Sequence, residues 1–261
     1  MNRLSLGTVT ALLACTTAYA ADLPVSVPPA VVAPVVNWSG LYVGGHAGFA
    51  WSRDLFSFDV HDVTCDFQCE DFRFTPSSFI GGGQIGYQSQ VDMWVFGIEA
   101  TWSALDLHQT KNSAFDAASL RSIKIDDIGT VGARFGYAGW DRMLIYARAA
   151  YATARIAVHA LESGSGITSD AGPGVTGDWN GWRSGWNIGA GIEYLLWPNV
   201  VLGIEFNFYN FAFDTKQPIT FSDRTTEFEI AGSNADVYAV TARLSYLFNW
   251  GKAPAGLVAR Y

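Results

Sequence analysis

The sequence predicts an all-β chain: an eight-stranded antiparallel up-and-down transmembrane β-barrel with short periplasmic turns and long extracellular loops. Three observations carry that expectation. From Trp38 onward, apolar residues alternate with small or polar ones at a period of two, in segment after segment, as strands with two unlike faces require. The links between those segments are by turns a few residues and roughly twenty residues long, the asymmetry of an outer-membrane barrel. The composition is 49% apolar, 15% aromatic and 15% charged with 27 glycines, which suits strands carrying large apolar side chains on one face and small ones on the other.

Residues 1–20 read as an export signal and not as fold. Arg3 supplies a positive start, Leu4 to Ala14 an apolar stretch, and Ala18-Tyr19-Ala20 a small-x-small cleavage site. Leu12-Leu13-Ala14-Cys15 also resembles a lipid-attachment box, the alternative way of processing this segment. Residues 21–37, with Pro24, Pro28, Pro29 and Pro34, read as an extended polyproline-like periplasmic leader. The barrel is expected over 38–248 and a C-terminal extension over 249–261.

The first candidate strand, 38–52, sets Leu41, Val43, Ala47, Phe49 and Trp51 against Tyr42, Gly44, His46, Gly48, Ala50 and Ser52. The second, 77–90, sets Phe79, Ile85 and Tyr87 against Ile80, Gln84 and Gln88, and a short Val91-Asp92 turn leads into the third. That strand, 93–104, puts Trp94, Phe96, Ile98 and Trp102 outside and Val95, Glu99, Thr101 and Ser103 inside. The fourth, about 124–138, opposes Val131, Phe135 and Tyr137 to Thr130 and Arg134. The fifth, 143–156, follows a tight turn at 139–142, and its alanines leave its facing open. The sixth, 182–195, places Trp186, Ile188, Ile192 and Tyr194 opposite Asn187 and Glu193, and Pro198-Asn199 makes the next turn. The seventh, 200–210, opposes Leu202, Ile204, Phe206 and Phe208 to Glu205, Asn207 and Tyr209. The eighth, 236–248, opposes Tyr238, Val240, Leu244, Tyr246 and Phe248 to Thr241, Arg243 and Ser245. Segments 53–76, 105–123, 157–181 and 211–235 are then the extracellular loops.

The same pattern excludes other classes. A net charge of -8 argues against a nucleic-acid partner, which needs clustered Lys and Arg. After residue 20 no apolar run reaches the ~18 residues of a spanning helix. A soluble lipocalin-like barrel also has eight antiparallel strands, but it would turn its large apolar residues inward around a ligand. Here the face without aromatics holds Gly, Ser, Thr, Gln and ionised groups. Aromatics near the strand ends (Trp38, Trp51, Trp94, Trp102, Tyr137, Tyr194, Phe208 and Phe248) are expected to form interfacial girdles.

The face assignment turns Glu99, Arg134, Arg148, Glu193, Glu205 and Arg243 toward the axis. A lipid-facing Arg at mid-membrane would cost about 2–4 kcal/mol, so inward placement is expected. The interior of an eight-stranded barrel is only wide enough for side chains, so these charges should pair and form a polar plug. No metal site and no cofactor are expected. Cys65 and Cys69 could close a small disulfide loop in an oxidising compartment. An enzyme is not expected, because no G-x-S-x-G nucleophile motif occurs and only four histidines are present. Of these, His46 is expected in the lumen near Ser52 and Ser103.

The segments NWSGLYVGGHAGFAWS, GGGQIGYQ, VGARFGYA, SGWNIGAGIEY and VTARLSYLFNW resemble the small alphaproteobacterial outer-membrane proteins. That group includes porin-family surface antigens and haemin-binding proteins, distant relatives of the OmpA-like transmembrane barrel. The resemblance spans almost the whole mature chain. It implies an outer-membrane barrel that contacts membrane lipid and lipopolysaccharide. It also implies assembly machinery that reads the last strand's aromatic residue, whereas here thirteen residues, ending in Tyr261, follow Phe248. Three functions are compatible with it: a structural surface protein, a narrow channel, and haem capture through the loop histidines His61, His108 and His159.

Overall fold

The computed structural model describes residues 36–53, 74–112, 120–162, 175–211, 218–220, 226–228 and 235–248. Its strands are β1 (Gly40–Arg53), β2 (Ser77–Val91), β3 (Trp94–Asn112), β4 (Leu120–Trp140), β5 (Met143–Glu162), β6 (Val175–Trp197), β7 (Val200–Phe211), β8 (Pro218–Thr220), β9 (Thr226–Phe228) and β10 (Ala235–Phe248). Eight of them close into one antiparallel barrel in the order β1-β10-β7-β6-β5-β4-β3-β2, while β8 and β9 form a separate hairpin. Every chain neighbour among the barrel strands is also a spatial neighbour, which is the up-and-down topology.

Two-residue turns close one end at Asp92-Met93, Asp141-Arg142 and Pro198-Asn199. Asp92 (φ 55°) and Arg142 (φ 58°) take the left-handed backbone that so tight a reversal demands. Followed once around the ring, the register runs from Ala50 through Ala239, Asn207, Gly189, Arg148, Arg134, Gly97 and Gln88 and returns to β1 at Gly40. The offset from residue 50 to residue 40 is a shear of 10, which for eight strands means a tilt of about 40° and a lumen that side chains can fill.

Around the waist of the barrel, outward residues are large, apolar and exposed: Ile98, Val131, Ile188, Ile204 and Leu244. Aromatics border this band on both sides. Near the turns, Trp94 stacks on Phe135 with ring centroids 5.0 Å apart, and Tyr194 and Tyr246 share that level. Toward the other end, Trp51 stacks on Tyr238 (5.9 Å) and Trp186 meets Phe208 (5.4 Å). A wall of this kind is built to touch lipid.

Trp38 departs from the expected girdle. It is 1% exposed and lies inside the barrel, in an apolar layer with Tyr42, Val95, Leu144, Tyr146, Leu195, Val201 and Leu247. Its backbone explains why: the N–H donates to Gln90 Oε1 (2.8 Å) and the carbonyl accepts from Gln88 Nε2 (2.7 Å), which folds the chain before β1 across the turn-side mouth.

Strands β3 to β6 run past their expected ends. Most of the segments 105–123 and 157–181, expected as loops, is ladder, and only 113–119 and 163–174 lie outside the described residues. The period of two continues there with its polarity reversed, so the segments look polar but remain strands. Leu105, Leu107, Ile123, Ile125, Ile156 and Val158 point inward into a second apolar layer, completed by Ile128, Phe211 and Val237. Asp106, His108, Lys124 and Arg155 lie on the outward face. A bulge at Asp126, where β4 carries one residue more than β5, shifts the inward positions of β4 from odd to even numbers. Lys124 Nζ lies 2.6 Å from Asp126 and 3.6 Å from Asp106 across this irregularity.

Candidate functional site

Between the two apolar layers the lumen carries charge. Glu99 on β3, Arg134 on β4, Arg148 on β5, Glu193 on β6, Glu205 on β7 and Arg243 on β10 are all buried. They occupy six strands that are consecutive around the ring, yet they meet side chain to side chain across it. Arg243 bridges Glu99 and Glu205. Arg148 Nη1 reaches the same two carboxylates, at 3.1 Å and 3.2 Å, and its Nη2 donates to Thr130 Oγ1 at 2.7 Å. Arg134 donates to Glu193 at 2.8 Å and lies 3.7 Å from Glu99. Because β3 and β10 are not paired strands, the contact between Glu99 and Arg243 must cross the interior.

The three acids balance the three arginines, so the cluster is formally neutral. Neutral phenols extend it. Tyr42 donates to Glu99 (2.8 Å) and Tyr146 to Glu205 (2.5 Å). The Arg134 guanidinium lies 3.9 Å from the centroid of the Tyr146 ring, close enough for a cation–π contact. Asn207 donates to Glu205 at 2.7 Å. Satisfaction is incomplete, since the Nε atoms of Arg134 and Arg243 have no hydrogen-bond partner among the described residues. His46 spans the layer above, bonding Gln84 through Nδ1 (2.8 Å) and Ser103 through Nε2 (2.9 Å). Neither Tyr42 nor Tyr146 was assigned to the network from the sequence, although both leave a signal there.

Glycines make room for these long side chains. Each of the six charged residues has a glycine directly opposite on a neighbouring strand: Gly132 for Glu99, Gly97 for Arg134, Gly189 for Arg148, Gly203 for Glu193 and Arg243, and Gly191 for Glu205. At Gly191 a Cβ would lie 2.6 Å from the Tyr146 hydroxyl, so only glycine lets that ring lie against the wall. The alternation of Gly with large inward residues is the signal that marks Tyr146, on the strand whose facing the sequence left open.

The other candidate residues are not gathered into a site. His108 sits exposed on β3, with Thr110 Oγ1 3.4 Å from its Nε2. His159, on β5, holds Asp178 at 2.5 Å through Nδ1. Strand β4 lies between the two histidines. His61, Cys65 and Cys69 lie outside the described residues, as do residues 1–35 and 249–261. Among the described residues no cluster of three or more His, Cys, Asp or Glu is placed to hold a metal ion.

A closed antiparallel ring with an apolar outer band, aromatic borders and an ionised lumen defines an outer-membrane β-barrel protein. The chain belongs to the family described as outer membrane protein beta-barrel domain, which it matches over residues 8–248. It is 31% identical, over 79% of its length and 85% of the relative's, to the 31 kDa outer-membrane immunogenic protein of Brucella melitensis. It is 26% identical to the 25 kDa outer-membrane immunogenic protein of Brucella ovis, over 74% of this chain and 81% of that one. Among solved structures it is similar to the outer membrane protein OprG of Pseudomonas aeruginosa (TM-score 0.44, 13% identity, 82% of this chain and 98% of that one). It is also similar to neisserial surface protein A (TM-score 0.42, 14% identity, 80% and 98%). The chain is an outer-membrane β-barrel of the small surface-antigen kind.

Proposed function

We propose that this protein is a sealed membrane anchor that braces the outer membrane and displays the hairpins and loops at its extracellular end. The observation that supports the reading is the lumen cluster. Three arginines and three glutamates join strands across the axis, with an apolar layer on either side. An ion crossing this lumen would have to break several buried, mutually hydrogen-bonded ion pairs, and removing one partner of such a pair costs about 3–5 kcal/mol. The role needs no catalytic group. Its partners are the outer-membrane lipid and lipopolysaccharide around the wall, and the assembly machinery that inserts the barrel. Its surface hairpins are what host or environment would meet, in keeping with relatives named as immunogenic proteins.

Planar-bilayer recording of the refolded protein tests the reading. Silence at applied voltage is expected from the parent protein. Reproducible open steps from the parent would replace the sealed anchor with a narrow channel.

A further inference from the structure

The outer wall carries a depression that the lumen does not explain. A groove of about 590 Å³ runs along it, bounded by Val43 and Ile85 at one end and by Trp102, Tyr151 and Thr153 at the other. It exists because outward positions at its centre are small. Ala100 stands between Ile85 and Val131 in register, and Gly129 stands between Trp102 and Thr153. The Trp102 ring leans over Gly129, where a Cβ would lie 3.2 Å from it, and meets Trp182 with centroids 5.7 Å apart. The upper end lies at the level of the extracellular aromatics and the lower end beside the lumen charges. The groove therefore covers the depth of an acyl chain in the outer leaflet.

Above the groove the chemistry changes. Tyr151 and Ser184 share a hydrogen bond of 2.6 Å. Two residues beyond Thr153, Arg155 is exposed, opposite Asp127 on one side and Trp182 on the other. Among the described residues it makes no ion pair within 4.0 Å, and its one hydrogen bond there is a 3.4 Å contact from Nε to Asn180, which leaves both Nη nitrogens uncommitted to any described residue. The neighbouring cation, Lys124, is already held by Asp126 and Asp106. An apolar channel at outer-leaflet depth, topped by an uncommitted guanidinium, has the chemistry of a phosphorylated lipid: the chain fills the groove and the guanidinium forks onto a phosphate.

We propose that this groove and Arg155 bind one phosphorylated saccharolipid of the outer leaflet. The site lies on the outer wall, so it stands or falls independently of whether the lumen conducts. The test uses the full mature protein in phosphatidylcholine nanodiscs, doped with lipid A in one arm and with phosphatidylglycerol in the other. Native mass spectrometry reads the retained lipid, and gel mobility before and after heating verifies folding. One lipid A per barrel is expected on the parent. Retention should fall at least tenfold in Ala100→Trp, which fills the groove, and in Arg155→Gln, which removes the cation at a solvated position. Ala242→Trp, on the outward face of β10, should retain the parent level. Equal lipid A retention by the parent and Ala100→Trp would overturn the site. Equal retention of phosphatidylglycerol by the parent would overturn the saccharolipid assignment.

Discussion

Strands β3, β4 and β5 each pass through two surroundings, and their two faces exchange character between them. Near the waist, Glu99, Arg134 and Arg148 point inward while Ile98, Phe135 and Tyr151 point outward. Farther along the same strands, Leu107, Ile123 and Ile156 point inward while His108, Lys124 and Arg155 lie outside. The backbone period stays at two, apart from the bulge at Asp126. What changes is the medium against the outer wall. Lipid rewards apolar side chains outside and leaves the lumen as the place for ionised groups. Water above the membrane drives apolar side chains inward, at about 25 cal/mol per Å² buried, as in a soluble β-protein. The exchange falls between Ser103 and Leu107 on β3 and between Tyr151 and Arg155 on β5, so it marks the outer membrane surface on the strands themselves.

The sharpest break in this comparison comes from the waist. Arg243→Met leaves Glu99 and Glu205 short of a cation in a closed interior, and a loss of about 3–5 kcal/mol in unfolding free energy is expected. Urea titration of the barrel refolded into vesicles measures it. A loss below about 1 kcal/mol would mean the cluster is hydrated and the waist is not the dry, paired region described above. The next effect tests the outer wall at two heights. Ile204→Arg, in the lipid-facing band, should cost about 2–4 kcal/mol, whereas Ala157→Arg, on the same face but beyond the exchange, should stay within about 0.5 kcal/mol of the parent. Similar costs at the two positions would erase the boundary.

The waist was the more legible of the two regions, and the reason is physical. Inside lipid the faces differ strongly, so Ile98-Gly97-Glu99 or Phe135-Arg134 can be read directly as wall and lumen. The extension is hidden because Asp106, His108 and Asp178 look like loop residues when only their polarity is weighed. The inward residues Leu105, Leu107 and Ile123 keep the strand period in that segment and signal that the ladder continues. Trp38 was misplaced for a different reason. Its destination depends on hydrogen bonds to Gln88 and Gln90, about fifty residues away, which no local pattern encodes. Tyr146 escaped because β5 has alanine on both faces, and only the glycine opposite Glu205 hinted at a large ring there. Gly191→Ala tests that hint: the added methyl must displace the Tyr146 ring, at an expected cost of about 1–3 kcal/mol, and an unchanged urea midpoint would show that the ring can move freely.

The smallest effect lies beyond the exchange, where solvent screens charge. Lys124 donates to Asp126, and this hydrogen bond, with the Coulomb attraction of the same carboxylate, holds its ammonium above the ordinary lysine range. A group whose pKa is raised by folding stabilises fully below its unfolded value, ~10.4 for lysine, and loses that contribution as pH rises through the folded value. Lys124 is exposed and screened, so Lys124→Ala should cost no more than about 1 kcal/mol at pH 7. The difference from the parent should shrink above pH ~10.4, as the parent's own ammonium deprotonates. It should shrink at high salt as well, unlike the loss caused by Arg243→Met, whose ion pairs are shut away from the electrolyte. If salt weakened both variants' effects alike, the waist would be as open to solvent as the extension.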